Sequence, residues 1–249
     1  MNRFNGKTVL VTGGTSGIGL ATAHAFKDEG ARLIITGRDT QALKAAKAAL
    51  GDGALAIRND AGDPEAPAAL AASLASAGIR LDAVFVNAGI AKFAPIAAVG
   101  ATLWDETFDV NVKGPFFLIQ SLLPLLNKGA SIVLNGSINA RIGMPNSSVY
   151  AASKAALISL ARTLSGELIA QGARVNVVSP GPVETPIYGK FGLPADALKG
   201  MAEQIQAQIP IGRFGKPEEI AATVLHLASP ESAFIVGTEI IADGGMSEL

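Results

Sequence analysis

Tyr150 and Lys154 stand four residues apart, and Ser137 lies thirteen positions before the tyrosine. On a helix, residues i and i+4 share one face. The phenol and the ammonium therefore project side by side. The apolar run Ser131-Ile132-Val133-Leu134 reads as a buried strand. That places Ser137 just past the strand's C-terminal end, which in an open parallel sheet is where ligands bind. A hydroxyl, a phenol and an ammonium converging there suit proton transfer to or from a carbonyl or alcohol oxygen.

A second chemical signal lies near the N-terminus. Thr12-Gly13-Gly14-Thr15-Ser16-Gly17-Ile18-Gly19 follows the short apolar run Thr8–Val11 and opens an alanine-rich helical stretch. Gly13, Gly17 and Gly19 let the backbone turn tightly, approach a pyrophosphate and pack helix against strand. The helix start offers free N–H groups and a positive dipole end to phosphates. Alone, such a turn is equally a structural device. Between a strand and a helix it points to a dinucleotide.

The elements that must position these groups follow from hydrophobic patterning. Strands are predicted at Thr8–Thr12, Arg32–Thr36, Ala54–Arg58, Ala83–Asn87, Ser131–Asn135, Arg174–Ser179 and Glu239–Ala242. Helical stretches fall between them at about 17–29, 40–50, 65–77, 102–126, 149–171 and 217–228. The alternation argues an α/β fold: a Rossmann-type, doubly wound parallel sheet of about seven strands with helices on both faces. With no linker or low-complexity segment, residues 1–249 are expected to form a single dinucleotide-binding and catalytic domain. Pro115 and Pro124 predict a kink or early end in the 102–126 helix. Residues 182–216, rich in proline and glycine, hold a short helix at Ala195–Gln208 and read as a substrate lid at the ligand end of the sheet. An ordinary long connection is the alternative there.

Composition bounds the rest. Nearly half the chain, 49%, is apolar, which suits a sizeable core. Lys+Arg 20 against Asp+Glu 21 leaves no nucleic-acid footprint. With no cysteine there is neither disulfide nor thiolate chemistry. The chain enters its first strand too soon for a signal peptide. Its longest apolar stretch, Pro115 to Leu126, is too short to span a bilayer. A cytoplasmic location is therefore expected. His24 and His226 lack a second ligand at metal spacing, so no metal is expected. Trp104 and Phe108 share a helix face and read as core or interface.

Six pieces, in order along nearly the whole chain, resemble the short-chain dehydrogenase/reductase family. They are Thr12 to Gly19, Asn87-Ala88-Gly89, Asn111 in Asn111-Val112-Lys113-Gly114, Ser137, Tyr150-Ala151-Ala152-Ser153-Lys154, and Pro180-Gly181. The glycine spacing is itself typical of that family. The resemblance implies Tyr150 as general acid/base, Lys154 holding the nicotinamide ribose, and Ser137 positioning the substrate oxygen. Lys154 and an oxidised nicotinamide ring are expected to lower the phenol's pKa from about 10. Asn111 resembles the residue that orders a water in a proton relay, with a helix-kink amide as the alternative.

The resemblance also extends the cofactor contacts. Thr15, Ser16 and Ile18 belong to the glycine-rich turn. Asn87, Ala88 and Gly89 make a turn or let the cofactor lie close to the backbone. Asp60, with Ala61 beside it, is either a cap or loop carboxylate or a partner of the adenine amino group. Pro180, Gly181, Val183 and Thr185 reach the nicotinamide side. Ile138, Asn139, Met144, Ile187, Tyr188 and Phe191 are the expected pocket, together with Leu193, Leu198 and Met201. Their character implies an uncharged, fairly hydrophobic carbonyl or alcohol substrate, with Arg141 the one candidate for a carboxylate.

The second strand ends in Thr36-Gly37-Arg38. An NAD-binding chain of this fold carries a carboxylate there for the ribose hydroxyls. Gly37 repels no phosphate, and Arg38 offers a planar fork to phosphate oxygens. NADP(H) is expected over NAD(H), with Asp39 an N-cap for the next helix. Ser16 weighs the other way, because many NADP-using relatives carry a second basic residue in that turn. A homotetramer is expected from the apolar surface of the 102–126 and 149–171 helices and from the C-terminal segment. The leading activity is hydride transfer between NADP(H) and a secondary alcohol or ketone. The alternatives are a β-ketoacyl thioester (acyl carrier protein) reductase and a non-catalytic dinucleotide-binding sensor.

Overall fold

A computed structural model describes residues 2–186 and 194–249 of the chain. Seven strands form one sheet in the order β3-β2-β1-β4-β5-β6-β7, every pair parallel. The strands are β1 Thr8–Val11, β2 Arg32–Gly37, β3 Leu55–Arg58, β4 Leu81–Val86, β5 Leu126–Asn135, β6 Arg174–Pro180 and β7 Glu239–Ala242. The helices are α1 Gly17–Asp28, α2 Thr40–Leu50, α3 Ala66–Ser76, α4 Ala101–Phe108, α5 Gly114–Leu122, α6 Ser148–Leu168, α7 Ala195–Ala207 and α8 Pro217–Ala228. The order of winding reverses between β1 and β4, which opens a crevice at their C-terminal ends.

Side chains on a strand alternate between faces, and each face of this sheet carries its own core. Leu10, Ile34 and Val84 meet α3, α5 and α6 through Leu74, Leu122 and Leu157. Val9, Val11, Ile35 and Phe85 meet α1, α2 and α8 through Phe26, Leu50 and Val224. Each such buried side chain contributes about 1.5–3 kcal/mol. Asp39 caps α2 by accepting from the Ala42 N–H at 2.7 Å, as expected.

The stretch 102–126 is interrupted, as its two prolines predict. α4 widens into a π-helical turn at Asp109–Lys113 before α5 begins. Pro115 lacks the N–H that an α-helix would direct to the Asn111 carbonyl, so the chain changes its winding there. Pro124 then sits in a 3-10 turn, Leu123–Leu125, and Leu126 already belongs to β5. β5 therefore starts five residues before the expected Ser131. α7 lies within 182–216, and that segment is joined at its neck by a parallel bridge between Val183 and Gly215. Among the described residues no helix is long and apolar enough to cross a membrane.

Candidate active site

The glycine-rich turn leaves β1 and enters α1 with Gly13 at φ +62° and Gly17 at φ +51°, a region that favours glycine. A Cβ on Gly19 would run into the Gly13 carbonyl oxygen. Ser16 flanks α1 in an extended conformation without capping it through its side chain. The first N–H groups of the helix thus face the crevice with no side-chain acceptor supplied by Ser16. Thr185 lies against the turn, its Cγ2 3.2 Å from where a Gly17 Cβ would stand.

Thr12 and Asn87 stitch this turn to the end of β4. The Thr12 hydroxyl accepts from the Asn87 and Ala88 N–H groups at 2.9 and 3.0 Å. The Asn87 side-chain amide donates to the Thr12 and Gly13 carbonyls at 3.0 and 3.2 Å. Its oxygen accepts from Asn135 Nδ2 at 2.9 Å. At the next step the Asn135 carbonyl accepts from Lys154 Nζ at 2.7 Å. A chain of hydrogen bonds thereby runs from the glycine-rich turn to the lysine. Asn135 Oδ1 is buried and has no partner among the described residues. Beside it the Gly136 N–H is held by the Val178 carbonyl at 2.7 Å.

Lys154 is buried on α6, and desolvation lowers its pKa to about 8. Tyr150 sits one turn earlier, with the ammonium 5.8 Å from its ring centre. Phe93 packs edge-on against the same ring at 5.6 Å. Burial pushes the Tyr150 phenol up, and a hydrogen bond with Ser137 pulls it only part of the way back. That is the direction for the protein without cofactor, whereas the lowering expected of Lys154 and an oxidised nicotinamide concerns the bound state. Ser137 lies two residues past β5 in extended conformation and accepts from the Asn139 N–H at 3.2 Å, starting a 3-10 turn at Ile138–Ala140.

Asn111 is buried in the π-helical turn. Its amide brackets Ile90, accepting from the N–H and donating to the carbonyl, each at 2.9 Å. It also donates to the Ser153 hydroxyl at 3.1 Å, and Ser153 donates to the Tyr150 carbonyl at 2.7 Å. The side chain is thus a clamp between the Gly89-Ile90 segment and α6. A Cβ on Gly89 would meet Asn111 Oδ1 at 3.2 Å and Lys154 Nζ at 3.6 Å, so this passage requires a small residue.

At the other end of the crevice, Gly37 is buried, and a Cβ there would lie 2.6 Å from Thr15 Cγ2. Arg38 is exposed. The Asp60 carboxylate accepts from the Gly62 N–H at 3.1 Å, a turn of its own making. The Ala61 carbonyl abuts Gly114, where a Cβ would collide with it. Gly181 donates its N–H to the Ala242 carbonyl at 3.0 Å just after Pro180. Of the expected pocket, Ile138 is buried, whereas Met144 is exposed and accepts from Asn139 Nδ2 at 3.3 Å. Ile187, Tyr188, Phe191 and Leu193 lie outside the described residues. The Arg141 guanidinium is taken by Glu239, at 3.0 and 2.5 Å, and so is not free for a substrate carboxylate.

Thr12, Phe93, Asn135 and Ser153 hold or touch the centre without having been singled out. Thr12 and Ser153 lie inside the motifs already read, which is the signal that could have found them. No spacing rule marks Phe93 or Asn135, because both arrive through tertiary structure.

The fold and these side chains define a dinucleotide-binding α/β protein with a serine–tyrosine–lysine centre. Comparison with known proteins gives the same class. The family model described as Enoyl-(Acyl carrier protein) reductase matches residues 13–247. The 2-(S)-hydroxypropyl-CoM dehydrogenase 3 of Xanthobacter autotrophicus is 33% identical over 253 residues, covering 100% of this chain and 99% of the relative. The 3-oxoacyl-(acyl-carrier-protein) reductase of Thermotoga maritima is 37% identical over 250 residues, covering 98% and 99%. A short chain dehydrogenase from Burkholderia cenocepacia J2315, solved in complex with NADP, superposes with a TM-score of 0.90 at 35% identity, covering 98% and 99%. The chain belongs to the short-chain dehydrogenase/reductase family of oxidoreductases.

Proposed function

We propose that the protein transfers a hydride between NADP(H) and a secondary alcohol or ketone, with Tyr150 as general acid/base. The observation that carries this reading is the half-buried Tyr150 over a buried Lys154 beside Ser137, joined through Asn135 and Asn87 to the glycine-rich turn. The residues present fit a dinucleotide. Gly13, Gly17 and Gly19 leave the backbone open to a pyrophosphate, and Ser16 leaves the start of α1 uncapped. Asp60 and Ala61 would border the adenine, and Pro180, Gly181, Val183 and Thr185 the nicotinamide side.

When bound, the nicotinamide supplies the hydride in reduction and, once oxidised, a positive charge. In the reductive direction, Ser137 and the Tyr150 phenol donate hydrogen bonds to the substrate carbonyl oxygen and orient it. As that oxygen gains negative charge, Tyr150 gives it the phenolic proton. The raised phenol pKa keeps that proton on Tyr150 until then. Lys154 stabilises the resulting phenolate and passes a proton back to it. A water at the Asn111 carbonyl, which Pro115 deprives of its α-helical donor, would return the proton to Lys154. Oxidation of an alcohol runs the same steps backwards.

NADP(H) is preferred because Gly37 places no carboxylate at the end of β2 and Arg38 stands exposed beside it. The substrate is uncharged and hydrophobic, since Arg141 is committed to Glu239. Of the expected lid, the described part that carries α7 would cover it. The working form is a homotetramer: Trp104 stacks on Phe108 yet is half exposed, and Phe234 before β7 is fully exposed. A monomer in sedimentation at micromolar concentration would refute that assembly.

NADPH oxidation followed at 340 nm with a panel of ketones tests the activity. Turnover of uncharged ketones supports it, and cofactor binding without any turnover would favour a sensor. The Thermotoga maritima relative favours one alternative, a β-ketoacyl thioester reductase. Preference for an acetoacetyl thioester over every simple ketone would select it.

A further inference from the structure

The geometry points to Arg58 as a second cationic contact for the cofactor's ribose 2′-phosphate, one that no family motif predicts and that compensates for Ser16. The inference rests on the NADP(H) reading and deepens it. β3 is the edge strand, and its pairing with β2 sets Arg58 in register with Gly37. Side chains two apart on a strand share a face. Ala56 packs on the core beneath α1 and α2, so Arg58 projects from the side of the sheet on which α2 begins. There Arg58 Nε donates to the Arg38 carbonyl at 3.2 Å. That bond holds one guanidinium against the Gly37-Arg38 step and leaves its two terminal nitrogens to other partners.

Both arginines are exposed, and among the described residues neither is paired with a carboxylate. The nearest acid in sequence, Asp39, spends its Oδ1 on the Ala42 N–H. Two unneutralised guanidinium groups therefore flank the one position at which a 2′-phosphate differs from a 2′-hydroxyl. Such forks match phosphate oxygens in pairs. The glycine-rich turn offers Ser16 where a basic side chain would otherwise serve, and Arg58 brings the missing charge from the next strand.

Binding of NADPH, NADH and adenosine 2′,5′-bisphosphate to the full chain, by titration calorimetry, tests this with no need of a substrate. The wild type is expected to hold NADPH at least tenfold more tightly than NADH. Arg58→Ala should weaken NADPH and the bisphosphate by about tenfold, as one charge-assisted contact implies. NADH affinity should stay within about twofold. Arg58→Gln keeps an amide donor near the Arg38 carbonyl but no charge, and should behave like the alanine variant. Equal losses for NADPH and NADH would show that Arg58 only shapes the turn, and would overturn the inference. An unchanged NADPH affinity in both variants would do the same. A wild type that does not separate NADPH from NADH would instead remove the cofactor reading on which it stands.

Discussion

The two ends of the cofactor crevice carry similar formal charges in opposite environments. At one end, Arg38 and Arg58 stand exposed at the tips of β2 and β3. At the other, Lys154 is buried beside the Tyr150 ring, and its pKa falls to about 8. Exposed charges act through a solvent that screens them, so they discriminate by one or two orders of magnitude. A buried charge is held near its own titration point and can exchange a proton at working pH. On the proposed function, cofactor choice would fall where substitutions are tolerated, and chemistry where every neighbour matters.

The largest effect expected from this contrast is at Tyr150. Tyr150→Phe should lower kcat by roughly 10²–10⁴-fold, while cofactor affinity stays unchanged. A variant retaining more than about a tenth of wild-type kcat would break the assignment, given that scale for proton transfer. Lys154→Ala should damage both rate and cofactor affinity, with kcat lower by at least about a hundredfold. A raised KM for cofactor with normal kcat would deny the lysine its part in proton transfer.

The burial of Lys154 also has a signature in stability. Its folded pKa of about 8 lies below the unfolded value of about 10.4. Between these values the unfolded chain binds more protons than the folded one, so stability rises with pH across that window. Lys154→Met should remove a rise of about 3 kcal/mol between about pH 8 and 10.5. Denaturant unfolding at several pH values measures it, and parallel curves for the two proteins would contradict the burial. The smallest effect belongs to the exposed end. Gly37→Asp with Arg38→Ala should reverse the NADPH preference by roughly ten- to a hundredfold in kcat/KM. Equal kcat/KM for both cofactors in the wild type would dissolve the comparison without a mutant.

Sequence patterning sufficed for the sheet because each strand is a short apolar run bounded by turn residues, and the core demands that pattern. It also sufficed for Ser137, Tyr150 and Lys154 as a group, since helical spacing and strand ends are local properties. Pro115 and Pro124 mark the break and early end of the 102–126 stretch, because each removes a backbone N–H. Hydrophobic spacing does not tell a π-helical turn from an α-helical one or mark where β5 begins, so neither is legible in the sequence. The desolvation of the phenol is not legible, because charge can be counted in a sequence and burial cannot. The link from Asn87 through Asn135 to Lys154 joins the ends of β4 and β5 to α6 and exists only in the folded state.

Asn135 is followed by Gly136, the dipeptide whose backbone nitrogen most readily attacks the preceding side-chain amide, expelling ammonia and leaving aspartate or isoaspartate. In the folded protein that nitrogen is committed to the Val178 carbonyl and the asparagine amide to Asn87, so the attack is blocked. Ageing at this position is therefore confined to molecules that have opened. Each such event would set a carboxylate against the Asn87 oxygen, on the residue whose backbone carbonyl holds Lys154. Peptide mapping after incubation would read how often β5 leaves β6 as deamidation at Asn135, set against the exposed Asn5-Gly6 step, which needs no opening.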